Sequence, residues 1–112
     1  WGIAGGAAKC AYLNGELGIA GAIDYKADGL GAQLDAAGGF DVYFDNVGGP
    51  LLDQVLTRMN HYGRIAVCGL LADYTAGTRT APREFDQVLM RRLRIEGFFS
   101  PDFMHEGPAL TR

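Results

Sequence analysis

Cysteine is scarce. Cys10 and Cys68 are the only two in 112 residues. Lone thiols without close spacing exclude a disulfide scaffold and suit a reducing compartment, which points to the cytoplasm. Histidine is as rare, with His61 and His105 alone. Scattered ligands of this kind do not make a zinc set, so no metal site is expected. Ten basic residues stand against thirteen acidic ones, a formal charge of -3. The basic residues gather only at Arg91-Arg92 and Arg94, which argues against a broad face for nucleic acid. No apolar run approaches the roughly 18 residues that cross a bilayer, and no leader pattern is visible. No membrane partner is therefore expected. An initiator methionine is missing too. The chain opens at Trp1, almost inside a strand, and closes at Thr111-Arg112 without a terminating element. It reads as a piece of a longer polypeptide.

Glycine is what the chain has in excess, seventeen residues in all, roughly twice average usage. The glycines fall between apolar runs, where tight turns belong. Gly2-Ile3-Ala4 reads as the end of a strand, Gly5-Gly6 as its turn, and Ala7 to Leu17 as a helix stopped by Gly18. Ala22 to Tyr25 is a second strand. Asp28 is expected to cap a helix reaching Ala37. Phe40 to Phe44, apolar on both faces after Asp41, suits a central strand of a parallel sheet. Pro50 opens the next helix, where its missing N–H costs nothing. Leu51, Leu52, Val55, Leu56 and Met59 form one apolar stripe. Arg64 to Cys68 is a fourth strand and Gly69 to Pro82 a long polar loop. Glu84 to Arg92 reads as a helix with Phe85, Val88 and Leu89 inward. Leu93 to Phe99 is a fifth strand, placed toward an edge. Strand and helix alternate without a hairpin signal. The fold class is therefore α/β: a Rossmann-like, doubly wound parallel sheet, incomplete, with helices on both faces.

Strand ends are where such sheets bind ligands. Gly5 and Gly6 could close a phosphate turn, with Asp24 about twenty residues on as a ribose acid. Alternatively they follow the second strand of a dinucleotide fold, where an acid selects NAD and a cation NADP. No acid stands there, and Lys9 is the cation on offer; it is equally a solvated helix lysine. Asn46 is a ligand-binding amide or a turn residue. Cys68 is more in keeping with a small buried apolar residue than with a nucleophile. Tyr74 orients or protonates a substrate, or only packs. Tyr25 stacks on an adenine or covers the core.

Five runs occur in one order: Gly2 to Cys10, Ile23 to Lys26, Asp41 to Gly49, Gly63 to Gly69 and Arg94 to Phe99. Together they resemble the zinc-independent medium-chain dehydrogenase/reductases. The most similar branch is the prostaglandin reductases, with their bacterial NADP-dependent and curcumin-reductase-like members. The resemblance implies an enzyme that reduces the carbon–carbon double bond of α,β-unsaturated ketones and aldehydes with NADPH. It implies Lys9 at the 2′-phosphate, Tyr25 at the adenosine end and Asn46 against the cofactor. It puts Cys68, Gly69 and the stretch to Tyr74 beside the nicotinamide half, and Phe98, Phe99 and Ser100 over it. Tyr74 would be the catalytic hydroxyl. A homodimer through the edge strand is also implied. Residues 1–112 would then be part of a cofactor domain, without the family's first strand, its diphosphate turn and the GroES-like domain. Two other classes stay open: a methyltransferase using S-adenosylmethionine, and a non-catalytic nucleotide-binding module.

Overall fold

The computed structural model describes residues 1–106, with side chains as far as Phe103. The chain end at Thr111-Arg112 and the His105 side chain lie outside the described residues. Strands and helices alternate: β1 (Gly2–Ala4), α1 (Ala7–Gly15), β2 (Ala22–Asp24), α2 (Leu30–Ala37), β3 (Phe40–Asp45), α3 (Gly49–Leu56), β4 (Met59–Val67), α4 (Leu71–Ala76), α5 (Asp86–Met90) and β5 (Arg94–Gly97). A 3₁₀ segment, Ser100–Glu106, follows. Every described strand pairing is parallel, so the carboxyl ends of paired strands share one rim.

The α3 helix shows why the core forms where it does. Pro50 sits in its first turn, and Leu51, Leu52, Val55 and Leu56 are all buried. Each such aliphatic side chain contributes about 1.5–3 kcal/mol when fully removed from water. They join Ile23 of β2, Leu34 of α2, Met59 and Ile65 of β4, and Leu93 in one cluster. The opposite face of β1 is covered differently. A Cβ on Gly2 would stand 2.9–3.0 Å from methyls of Ile19 and Leu13, so α1 lies close there. Helices thus cover both faces of the fold.

Several expectations are corrected. The strands form two sheets, β1-β2 and β3-β4-β5, rather than one. β3 is an edge of its sheet and β4 the middle. Between β1 and β3 runs a slot of about 360 Å³, lined by Ile3, Ile23, Val42 and Phe44 and floored by Leu51 and Val55. The apolar faces of β3 are therefore not both buried: Val42 is 69% exposed and Phe44 53%. Their apolar character has no described layer to bury against.

Met59 opens β4 rather than ending α3, because the helix closes at Thr57. The strand slips register between Phe40 and Val42 and has Tyr62 in the left-handed region. The loop expected over 69–82 contains α4. The cap of α2 is Gly29, not Asp28, because the chain turns left-handed there (φ 78°). Of the three residues expected inward on the helix before β5, only Val88 packs on the core, whereas Phe85 and Leu89 are exposed. That helix spans only five residues, too few to present a full stripe. No described helix is long and apolar enough to cross a membrane.

Candidate functional site

The parallel pairing places the expected site residues other than Tyr74 in two groups, one at the carboxyl ends of each sheet's strands. Beyond β1 and β2 lie Gly5, Gly6, Lys9 and Tyr25. Beyond β3, β4 and β5 lie Asn46, Cys68, Gly69, Phe98, Phe99 and Ser100.

In the first group the Gly5-Gly6 turn leads into α1, with Gly6 as its N-cap (φ 106°). The amides of the first turn have no acceptor within the helix. No acidic residue lies in that turn, and Gly6 has no side chain with which to cap it. Lys9, exposed, adds a positive charge one turn in. This combination suits an anion. Asp24 is engaged by backbone at this turn. Its Oδ1 accepts from the Gly6 amide at 2.9 Å and the Lys26 amide at 3.0 Å. These bonds, the Gly6 one foremost, hold its carboxyl below the usual aspartate value.

Asp24 therefore ties the end of β2 to the turn after β1. Lys26 is a residue that sequence reasoning passed over. A Cβ on Gly5 would stand 2.7 Å from Lys26 Cε and 3.2 Å from the Tyr25 hydroxyl. Only a residue without a side chain lets both lie across the turn. Its one sequence signal was its place beside Tyr25.

The second group is organised by Asp45, the one buried acidic residue among those described. Its Oδ1 accepts from the amides of Val47 and Gly48, both at 2.9 Å, and from the Tyr43 hydroxyl at 3.3 Å. Burial, then the Asp45 charge, pushes the Tyr43 hydroxyl well above its ordinary value. The N-terminus of α3 thus already faces a carboxylate. Asp45 stands to the Gly48 N-cap of α3 as Asp24 does to the Gly6 N-cap of α1, but α3 has no cation in its first turn. Asn46, exposed beside it, offers a neutral amide instead. Asp45 Oδ2 is buried without a hydrogen-bond partner among the described residues.

Cys68 and Gly69 are brought directly onto this turn. Both of their amides donate to the Asp45 carbonyl, at 2.8 and 3.1 Å, and the Leu71 amide donates to the Asn46 carbonyl at 3.1 Å. A Cβ on Gly69 would stand 3.0 Å from that same Asn46 oxygen. Cys68 is a free, half-buried thiol. Phe98 packs edge-on to Phe44 and stacks on Phe103, whereas Phe99 is 66% exposed. Ser100 begins the 3₁₀ segment. Tyr74 lies on α4, 71% exposed, and its hydroxyl makes no hydrogen bond among the described residues. Nothing described brings Tyr74 against Asn46 or Phe98. No group of three His, Cys, Asp or Glu side chains among the described residues could hold a metal ion.

Residues 1–112 match the model of a protein family described as zinc-binding dehydrogenase. An NADPH-dependent curcumin reductase from Escherichia coli is 39% identical, with 93% of this chain and 32% of that protein covered. An NADP(+)-dependent 2-alkenal reductase from Nicotiana tabacum is 38% identical, over 96% of this chain and 32% of its own length. The chain thus spans about a third of these relatives. Among solved structures, CurA from Vibrio vulnificus in complex with NADPH superposes with a TM-score of 0.77 at 36% identity. That match covers 87% of this chain and 31% of the other.

Proposed function

Since the chain belongs to the zinc-binding dehydrogenase family, we propose that it forms part of the cofactor domain of an NADPH-dependent reductase. Its substrates are α,β-unsaturated ketones and aldehydes, and the bond reduced is the carbon–carbon double bond. The observation that carries this reading is Lys9 in the first turn of the helix that follows the Gly5-Gly6 turn, with Asn46 offering a neutral amide beyond β3. The α1 start carries Lys9 and has no acidic residue in its first turn, and Asp24 holds only the amide of its N-cap, Gly6. The α3 start carries no cation in its first turn, and the buried Asp45 holds the amides of Val47 and of its N-cap, Gly48. A ligand reaching both Lys9 and Asn46 would place an anionic group at the first and a neutral, hydrogen-bonding group at the second. NADPH fits that demand with its 2′-phosphate and its nicotinamide riboside. The relatives named for NADPH or NADP support the same cofactor.

Lys9 and the first-turn amides of α1 would hold the phosphate, with Tyr25 beside the adenosine. Asn46 would donate or accept at the ribose or carboxamide. The orphaned Asp45 Oδ2 marks the same turn as short of one donor. When bound, the cofactor supplies the two electrons that the double bond takes up. The chain's part is orientation and exclusion of water, from Cys68 and Gly69 on one side and Phe98, Phe99 and Ser100 on the other. Tyr74 is proposed to hydrogen-bond the substrate carbonyl as it gains negative charge. Its exposure leaves the hydroxyl free to do so. The slot between β1 and β3, with an unpaired strand edge on each side, is read as the seat of a further parallel strand carrying the diphosphate turn.

In the polypeptide at its natural length, NADPH is expected to be consumed when a simple enone or alkenal is added, without supplied metal. Absence of turnover with both substrate types sinks the proposal. Tyr74→Phe is expected to lower turnover about tenfold or more. Unchanged turnover makes Tyr74 a surface residue only. Among the described strands β5 ends its sheet, and its outer edge extends the proposal to a homodimer by sheet extension. Sedimentation of the natural-length protein as monomer at micromolar concentration removes that part. Two unpaired cysteines suit a cytoplasmic enzyme.

A further inference from the structure

A second charged cleft lies away from the nucleotide rim. It has a volume of about 290 Å³ and is lined by Tyr62, Arg64, Arg92 and Arg94. Arg64 and Arg94 are register partners on adjacent strands, β4 and β5. Side chains at paired positions leave the sheet on the same face, so two guanidinium groups are held side by side. Like charges placed in this way destabilise a sheet unless something neutralises them. Among the described residues neither arginine has an ion pair; the one found there joins Arg58 to Asp35. Glu96 is the acid on the same face, two residues beyond Arg94, opposite Ala66 rather than Arg64.

The third arginine is brought in by two costly backbone conformations. Tyr62 (φ 63°) and Arg92 (φ 49°) are the only non-glycine residues described in the left-handed region. The Tyr62 amide donates to the Arg91 carbonyl at 2.8 Å, which ties β4 to the turn before β5. The Arg92 guanidinium then lies 5.3 Å from the Tyr62 ring centroid, and its one hydrogen bond goes to the Met90 carbonyl. Arg91 next to it is used up by structure: it bonds Gln87, Met59 and Thr57. Strain of this kind persists where a site requires it.

We propose that Tyr62, Arg64, Arg92 and Arg94 bind an anionic group of the phosphate or carboxylate type, at a site distinct from the nucleotide rim. Planar guanidinium forks match both groups, and the Tyr62 ring fixes one fork in advance. The group is carried either by a free small molecule or by an acidic side chain elsewhere in the polypeptide. The proposal does not depend on the reductase reading, since Lys9 and Asn46 play no part in it.

The test uses the natural-length protein and thermal unfolding in inorganic phosphate against chloride at equal ionic strength. Arg64→Gln, Arg94→Gln and Arg92→Gln are compared with wild type, and each Arg→Lys variant serves as the charge-keeping control. A free anion gives a phosphate-dependent rise in Tm that shrinks in the Gln variants, with apparent affinity falling about three- to tenfold for each exposed arginine. An acid supplied by the protein gives an unchanged phosphate effect but a lower Tm for the Gln variants in chloride, restored by lysine. Gln variants that are as stable as wild type or more so, with the phosphate effect unchanged, overturn the proposal. They show three arginines that merely repel one another.

Discussion

Replacing Lys9 by alanine is expected to raise the Michaelis constant for NADPH by about ten- to a hundredfold and to leave that for NADH nearly unchanged. The size follows from the loss of one charge-assisted contact to a phosphate. The selectivity follows from where Lys9 stands. It lies in the first turn of α1, which holds no acidic residue and whose N-cap, Gly6, supplies no side chain. Asp24 Oδ1 accepts from the Gly6 and Lys26 amides, which favour its charged form, so Lys9 is the α1 cation that offsets a carboxylate at this turn. NADH lacks the 2′-phosphate, so it has nothing to lose when Lys9 is removed. Steady-state kinetics with both cofactors on the natural-length protein measures the effect. An equal loss for both, or a wild type that prefers NADH, makes Lys9 a solvated helix residue and passes the role to Lys26.

Asp45→Ala is expected to destabilise the protein by about 3–5 kcal/mol, because it strands two backbone amides and a hydroxyl in a largely buried turn. The amides are those of Val47 and Gly48, and the hydroxyl is that of Tyr43. The turn also carries Asn46, Cys68 and Gly69 through the Asp45 and Asn46 carbonyls. Cofactor binding should therefore weaken along with stability. Asp45→Asn keeps an acceptor oxygen at the Oδ1 position and turns the partnerless Oδ2 into a donor. It should recover most of the stability if no donor meets Oδ2 in the complete protein, and little if one does. Urea unfolding of the three proteins measures this. A loss below about 1 kcal/mol for Asp45→Ala makes the carboxylate dispensable to the turn.

How much was legible in advance depended on whether a signal was local. Pro50 and the Leu51–Leu56 stripe specified α3 because capping and periodicity act within one turn of chain. The same holds for the glycine turns and the order of strands, and hence for the parallel α/β fold. Asn46 and Gly69 could be named from the motif that ends each strand. Their closeness could not, since it rests on a backbone contact between two strand ends 23 positions apart. Asp24 and Asp45 show the limit most clearly. In sequence both are acids near glycines, and one was read as a ribose ligand. Tertiary structure sets Asp24 on the N-cap amide of α1 and Asp45 on that of α3, so each strand-end acid holds a glycine-rich turn, and what tells the two apart is Lys9 on α1 and the burial of Asp45. The central place expected for Phe40–Phe44 also came from apolar density alone. Density says that a strand has two faces to bury, and the slot beside β3 decides what is there to bury them.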